Sequence, residues 1–282
     1  MILPRRVILN YLYTRGLYAT VSPAFANITG QSNKHLQNFF KFSIGKINVT
    51  VVSDGSFTTP ISSITINASE TEIKKHLQKY HMPDDYIYRE TNLAVIDVEE
   101  NRLLVDVGSG SRFIGDTGKL FDNLDLAGID PDTITHVFLT HAHPDHILGI
   151  RDDFDEVIFP DAKYIMSQNE YEWWTKKNRV NEVEDIFQQT VLNAVNSLTA
   201  LSEVTLFNEE KEIIPGVHMV DTSGHTPGHS SLLVQSEGAN LLICGDALLH
   251  PNTSLLFPSW KPENDMDPIK AMKSRKKVLK NR

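Results

Sequence analysis

From about residue 41 onward, short apolar runs alternate with segments of helical period. The runs NLAVIDV (92–98) and RLLVDVG (102–108) are separated by three polar residues, a pattern that predicts a β-hairpin. Residues 46–52 are β-rich, and the Asp54-Gly55 pair after them predicts a turn. Further branched and aromatic runs predict the strands THVFLT, KYIMS, EVTLF, GVHMV, SSLLVQ and NLLICGD.

Helix signals lie between these runs. Ser69-x-x-Glu72 and Ser167-x-x-Glu170 are typical of capping boxes, and Asp267-Pro268 predicts an N-cap followed by proline at the first helical position. The strongest helical period covers residues 181–200, where the apolar positions share one face: Val183, Ile186, Phe187, Val191, Val195 and Leu198.

Strands and helices mix along the whole chain, and the strands cluster in hairpins. This order predicts an α/β (α+β) fold, in which two mixed, mostly antiparallel sheets carry helices on their outer faces. We found no repeats and no low-complexity linker, so residues 41–282 are predicted to form a single domain.

Composition narrows the classes of function. The chain has 282 residues, is 40% hydrophobic and carries a formal net charge of −9, which argues against nucleic acid as a partner. No apolar run approaches the ~18 residues that a membrane span needs, so no membrane association is expected. The one cysteine, Cys244, lies in an apolar run and cannot form an internal disulfide.

Residues 1–40 are predicted to be a leader or a flexible tail. The first 53 residues contain no acid, Arg5-Arg6 forms a twin-arginine pair, and Ala24-Phe25-Ala26 offers a cleavage pattern. One interpretation is export to the periplasm or secretion through a twin-arginine-like leader. The alternatives are an organelle transit peptide, or a native tail on a cytoplasmic protein.

The segment THAHPDHILG, residues 140–149, concentrates three histidines and an aspartate in six positions. Alternate residues of an extended chain point the same way, so His141 and His143 can aim at one point. Pro144 keeps His143 extended, and the turn after it lets Asp145 and His146 project towards a second point. Such a match arises by chance roughly once per thousand chains of this length. The spacing predicts half of the ligands for two metal ions.

Two later segments offer the remaining ligands. His225 lies in the Gly- and Pro-rich loop TSGHTPGHSS, and Asp246 directly follows the apolar strand NLLICG. A buried acid is costly unless it is paired or coordinated, and its two oxygens can bridge two cations. Imidazole and carboxylate are ligands that Zn²⁺ prefers, although Mn²⁺, Fe²⁺ and Co²⁺ accept similar sets. Two divalent ions, most simply zinc, are therefore the expected cofactors.

The motifs HAHPDH, GHTPGH and GDALLHP resemble those of the metallo-β-lactamase superfamily, and among its members the lactonase and methyl parathion hydrolase-like branch. VVSDGSFTTP, LLVDVGSG and PSWKPENDMDP add to this resemblance, which covers about residues 41–282. It implies a four-layer αββα sandwich with metals at one edge of the paired sheets. It also implies a set of ligand roles: His141, His143 and His225 for one metal, Asp145 and His146 for the other, and Asp246 as the bridge.

The family has a further strand and a last metal-ligand histidine after its final basic helix. No such segment precedes Arg282, so the sequence predicts a domain that is shortened at its C-terminus, with a weaker second metal site.

The resemblance implies a dinuclear metallo-hydrolase in which a metal-bound hydroxide attacks a lactone, an ester or an organophosphate. Asp145 is the candidate catalytic residue, because it would orient that nucleophile. Two alternatives stay open: a glyoxalase II-type thioesterase, and an inactive metal-binding remnant. The expected partner is a small-molecule substrate, and the resemblance leaves a homodimer open. Trp173, Trp174 and Trp260 are candidates to line a substrate cleft, with ordinary packing as the other interpretation.

Overall fold

The computed structural model describes residues 6–9 and 38–280. Most of the predicted leader, residues 1–40, lies outside the described part. The strands are β1 Arg6–Leu9, β2 Phe39–Ile44, β3 Ile47–Pro60, β4 Tyr86–Val98, β5 Asn101–Val105, β6 His136–Leu139, β7 Lys163–Ser167, β8 Val204–Phe207, β9 Lys211–Ile214, β10 Val217–Asp221, β11 Ser230–Ser236 and β12 Ala239–Ile243. The α-helices are α1 Glu70–Lys79, α2 Leu120–Leu126, α3 Pro144–Ile147, α4 Gln168–Thr175, α5 Asp185–Leu198 and α6 Pro268–Lys280.

The strands form two mixed sheets. One sheet has the order β2-β3-β4-β5-β6-β7-β8, and the other has the order β1-β12-β11-β10-β9. Pairing is antiparallel from β2 to β5 and from β9 to β12, and parallel from β5 to β8 and between β1 and β12. The predicted fold class, two mixed and mostly antiparallel sheets, is confirmed.

Three apolar layers hold the sandwich together. Between the sheets, buried residues such as Ile96 and Phe138 of one sheet pack with Leu232 and Leu241 of the other. A second core lies between the seven-stranded sheet and the helices on its outer face, which contribute residues such as Val191. On the far side, α6 packs its Val278 against the segment after β12. Helices therefore cover both outer faces, as an αββα sandwich requires.

The helix boundaries follow local capping chemistry. The predicted capping box at α1 is confirmed, because the Ser69 side chain accepts from the Glu72 N–H and the Glu72 side chain accepts from the Ser69 N–H. The predicted start of α6 is also confirmed, since the Asp267 carboxylate accepts from the N–H groups of Ile269 and Lys270.

The turn predicted at Asp54-Gly55 is wrong. These residues lie inside the long strand β3, where the register against β4 shifts between Ser53 and Gly55 and forms a bulge. The bulge turns the Asp54 side chain inward, where it accepts from the N–H groups of Ser109 and Leu120. An isolated Asp-Gly pair therefore marked a bend in a strand and not its end.

The topology gathers several chain ends at one edge of the sandwich. β5 and β6 are parallel neighbours, so both present their carboxyl ends there, and the end of β12 and the start of β11 pair next to each other at Leu232 and Ile243. The segments that follow β6 and β12, together with the loop that precedes β11, carry every predicted ligand. No helix among the described residues is long and apolar enough to cross a membrane. The boundaries of a single domain over residues 41–282 stay a prediction.

Candidate metal centre

The first four candidate ligands follow directly from the end of β6. His143 has an extended backbone, with φ −75° and ψ 154°, and precedes the single helical turn of α3. Pro144 starts that turn, where its missing N–H has no cost. The change from extended chain to helical turn sends His141 and His143 to one side and Asp145 and His146 to a neighbouring position, as the spacing predicts.

The other two candidates reach the same place from the second sheet. Asp246 lies in a short 3-10 turn directly after β12, and His225 lies in the loop between β10 and β11. The structure brings His141, His143, His225 and Asp246 together, with one ligand atom of each within 4.8 Å of all the others. A second group, Asp145, His146 and Asp246, meets the same criterion and shares Asp246 with the first.

The distances between these atoms match those around a metal ion. Nδ1 of His143 lies 3.1 Å from Nε2 of His141 and 3.0 Å from Nε2 of His225. Oδ2 of Asp246 is 3.4 Å from Nε2 of His225, and its Oδ1 is 3.4 Å from Nε2 of His146. Ligands 2.0–2.1 Å from a tetrahedral ion lie about 3.3 Å from one another.

Outer hydrogen bonds fix the proton positions on three imidazoles. Nδ1 of His146 lies 2.8 Å from Oδ2 of Asp106, and Nδ1 of His225 lies 3.1 Å from Oδ1 of Asp265. A carboxylate only accepts, so both Nδ1 atoms donate and both Nε2 atoms are left to face the cluster. Nδ1 of His141 contacts the Thr140 hydroxyl, which itself donates to Asp106, so the same assignment holds there.

Lone pairs that converge in this way repel unless a cation lies between them. A proton on His143 could satisfy part of the first group, whereas a divalent ion satisfies every nitrogen and the Asp246 carboxylate at once. Burial and the neighbouring imidazoles hold the pKa of His141 and His143 well below 6.5, so both are neutral and ready to bind a metal. The donor set therefore fits divalent metal ions.

The surroundings of His146 also favour a positive charge. Burial by itself lowers its pKa, but the carboxylates of Asp145, Asp106 and Asp246 together raise the pKa well above 6.5. Three acids around one imidazole stabilise a cation at this position, whether the cation is a proton or a metal.

Asp246 is held in place by His229 and by a glycine. Its backbone N–H donates to Nε2 of His229, whose Nδ1 meets the Thr222 hydroxyl at 2.8 Å. Burial lowers the pKa of His229 to about 3, so the ring is neutral and can accept. Gly245 has φ +50°, and a Cβ there would lie 2.8 Å from the same His229 nitrogen. A side chain at position 245 would therefore displace the contact that orients Asp246.

Glu170 is a site residue, although its spacing from Ser167 predicts a role in helix capping. Ser167 does occupy the N-cap of α4, but its side chain makes no capping hydrogen bond. The Glu170 carboxylate is fully buried and accepts from the N–H of Ala142 at 3.1 Å, the N–H of Gly228 at 2.7 Å and the indole N–H of Trp174 at 2.7 Å. It therefore ties the His141–His143 segment to the loop that carries His225.

We expect Glu170→Gln to lower the free energy of unfolding by about 2–4 kcal/mol, because the new amide would face a buried N–H donor. Metal affinity should fall by about 10–100-fold, since both ligand loops lose their common anchor. Chemical denaturation and competition with a metal indicator would measure the two effects.

Glu172→Gln is the matched control, because Glu172 lies on the exposed face of the same helix. That change should alter stability by no more than about 0.5 kcal/mol. Wild-type stability and wild-type metal affinity in Glu170→Gln would contradict the assigned role.

Two further carboxylates that support the ligands were also missed. Asp106, at φ +61° after β5, accepts from the Thr140 N–H at 2.7 Å and orients His146. Asp265, buried beside His225, is paired with Arg275 of α6 at 2.9 Å. Both lie in segments that support the family resemblance, LLVDVGSG and PSWKPENDMDP, and that position was their only signal in the sequence.

A cavity of about 400 Å³ opens onto the centre and is lined by Asp145, His146 and Asp246. The three tryptophans do not line it. Trp174 is buried against Glu170, Trp173 packs with Trp174 and Arg179, and Trp260 stacks on Phe257. The apolar walls come from other positions: Phe57, Phe113, Ile186, Phe187 and Leu249.

Fold and site together define a metallo-hydrolase arrangement: ligand-bearing loops at one edge of an αββα sandwich, with a substrate-sized cavity over them. The chain matches the metallo-beta-lactamase superfamily over residues 88–282. It therefore belongs to that superfamily, and the resemblance drawn from HAHPDH, GHTPGH and GDALLHP is confirmed.

Relatives and solved structures place the chain near lactonases. The N-acyl homoserine lactonase AiiA of Bacillus thuringiensis subsp. kurstaki is 23% identical over 202 residues, which cover 64% of this chain and 73% of that protein. The dizinc quorum-quenching lactonase AidC, solved in complex with a product, superposes with a TM-score of 0.81 at 26% identity, over 86% of each chain. AbOPH, a hydrolase of the beta lactamase superfamily, shares the fold at a TM-score of 0.79 and 24% identity, again over 86% of each chain.

Proposed function

We propose that this protein is a metal-dependent hydrolase that opens lactone rings, with two divalent ions, most simply zinc, as cofactors. One observation carries the proposal: two groups of His and Asp ligand atoms, each group within 4.8 Å, share Asp246. His141, His143 and His225 would hold one ion and Asp145 and His146 the other, with Asp246 between them. Bound ions supply an acidified water and polarise a carbonyl oxygen.

The chain's own residues would position the reactants. Asp145 reaches the second group from the first turn of α3 and faces the cavity, so it can orient the attacking water and hold its proton. Asp106 and Asp265 keep His146 and His225 in the tautomer that presents Nε2 inward. His141 and His225 are fully buried, whereas Asp145, His146 and Asp246 line the cavity, so substrate would approach the centre through the cavity.

The choice of lactones rests on the relatives and on the cavity. AiiA and AidC are both described as lactonases, and the AidC structure covers most of this chain at 26% identity. A cavity of about 400 Å³ whose lining combines apolar side chains with polar groups suits a small cyclic ester that carries an acyl chain. One relative is a thioesterase: the atrochrysone carboxyl ACP thioesterase of Passalora fulva is 27% identical over 176 residues, but the match covers only 43% of that protein, against 73% of AiiA. Lactones are therefore favoured over thioesters, and the inactive remnant is not favoured.

An activity panel with metal analysis tests the proposal. N-acyl homoserine lactones, a paraoxon analogue and a glutathione thioester would be compared at equal concentrations, together with zinc per chain by elemental analysis. We expect the lactones to give the highest kcat/KM and the protein to hold two zinc ions per chain. Absence of lactone hydrolysis by protein with both sites filled would refute the proposed function.

A further inference from the structure

One wall of the cavity carries an arginine whose contacts are all neutral. Arg89 lies on β4 opposite Phe57 of β3. Its Nε lies 3.3 Å from the Thr59 hydroxyl, its Nη1 3.4 Å from the Leu249 carbonyl and its Nη2 3.5 Å from the Ser63 hydroxyl. All three distances are at the long end of the range for hydrogen bonds, and a guanidinium has five N–H donors, so two remain for another group.

The other arginines of residues 38–280 behave differently. Each of them has a carboxylate oxygen within 4 Å: Arg102 with Asp97, Arg112 and Arg151 with Asp155, Arg179 with Glu182, and Arg275 with Asp265. Arg89 alone among the arginines of residues 38–280 lacks such a partner, although it is half-buried. A partly desolvated cation without a counter-charge is costly, and a fork of free donors is a ready receptor for a carboxylate.

Besides the acids at the metal centre, two acids line the cavity with Arg89 without neutralising it. Glu90 follows Arg89 on the strand, and burial raises the pKa of its carboxyl, which bonds to Asn92. Glu263 lies near Ser63, since its backbone N–H donates to the Ser63 carbonyl, but its carboxylate is not within 4 Å of the guanidinium. The positive charge on this wall is therefore available to a ligand.

We propose that Arg89 is a specificity-determining residue that binds a carboxylate on the acyl portion of the substrate, away from the ester bond that is cleaved. This inference rests on the proposed lactonase function and narrows it to lactones whose acyl group ends in a negative charge. The guanidinium receives the carboxylate with its two remaining donors, while the lactone carbonyl lies at the metal centre. No covalent step is involved.

The first experiment uses the wild-type holoenzyme and two matched substrates. Both are N-acyl homoserine lactones of equal chain length, one ending in a carboxylate and the other in a neutral carboxamide. We expect kcat/KM to favour the carboxylate by about tenfold or more, as a charge-assisted pair allows. A ratio near one, or a preference for the carboxamide, would overturn the inference while leaving lactone hydrolysis itself intact. No turnover of either lactone would instead count against the proposed function.

Variants then assign the selectivity to this side chain. Arg89→Gln should remove the preference, and Arg89→Lys should restore part of it, because lysine keeps the charge but loses the fork. Arg102→Gln is the matched control, since Arg102 is paired with Asp97 outside the cavity lining, and it should keep the wild-type ratio. The readout is a ratio between two substrates, which a general loss of stability does not move. Unchanged selectivity in Arg89→Gln would show that another group reads the carboxylate.

Discussion

Asp246→Asn is expected to reduce kcat/KM for lactones by a factor on the order of 10³, which corresponds to about 4 kcal/mol of lost transition-state stabilisation. Asp246 is the only described residue that belongs to both ligand groups. Its Oδ2 faces His225 and its Oδ1 faces His146, each at 3.4 Å, so both oxygens are needed. Asparagine keeps one oxygen and replaces the other with an amide that cannot bind a cation. Steady-state kinetics and zinc content per chain would measure the loss.

Asp97→Asn is the control for this change, because Asp97 lies in β4 and pairs with Arg102 outside the cavity lining. It should retain two metal ions and wild-type turnover. Circular dichroism would show whether Asp246→Asn still folds. A folded Asp246→Asn protein with two bound ions and more than about a tenth of wild-type activity would contradict the bridging role.

The sequence predicts best those ligands whose directions depend on their spacing along a short segment of chain. His141 and His143 point alike because residues two apart in an extended chain do so, and Pro144 sets the extended backbone before α3. His225 and Asp246 are distant in sequence, yet each follows or precedes a predicted strand in a way that suggested a functional loop. The sheet order then explains why those loops meet at one edge.

The supporting residues could not be predicted, because their roles exist only in three dimensions. Ser167-x-x-Glu170 has the spacing of a capping box, and nothing in the sequence shows that Ala142 and Gly228 would present N–H groups to that carboxylate. The Asp54-Gly55 pair likewise fits the sequence pattern of a turn, whereas the β3–β4 register shows that the pair forms a bulge inside a strand. Local sequence patterns predict the commonest environment of a motif. Residues of a buried functional site depart from that environment, so the prediction is wrong there.

The helical period of the sequence also could not distinguish core residues from residues that line the cavity. Ile186 and Phe187 share the apolar face of α5 with Val191 and Leu198, but only the latter two are buried. The first turn of α5 extends past the core and leaves Ile186 78% exposed at the cavity. An apolar stripe on a helix shows which face avoids water. It does not distinguish a core from a substrate cavity, because apolar side chains line both.

Removal of the metal ions should lower the melting temperature by about 10 °C as well as abolish activity. The ligands His141 and His225 are fully buried and the nitrogen atoms of the first group converge, so the ions stabilise the folded state by binding it and not the unfolded chain. Free zinc at about 1,000 times its dissociation constant contributes about 4 kcal/mol, and a domain of this size shifts by about 2–4 °C per kcal/mol. Thermal denaturation before and after dialysis against dipicolinate would measure the shift, and added zinc should restore both quantities.

The His141→Ala variant separates metal binding from any direct effect of the chelator. His141 belongs to the first ligand group and is fully buried, so its loss should leave that group unable to hold an ion tightly. The variant should start near the melting temperature of the metal-free wild type and change by only a few degrees on dialysis. An equal 10 °C drop in wild type and variant would show that the chelator acts elsewhere on the protein. A wild type whose melting temperature does not respond to dialysis, once zinc analysis proves the ions gone, would show that the cluster is stable without them.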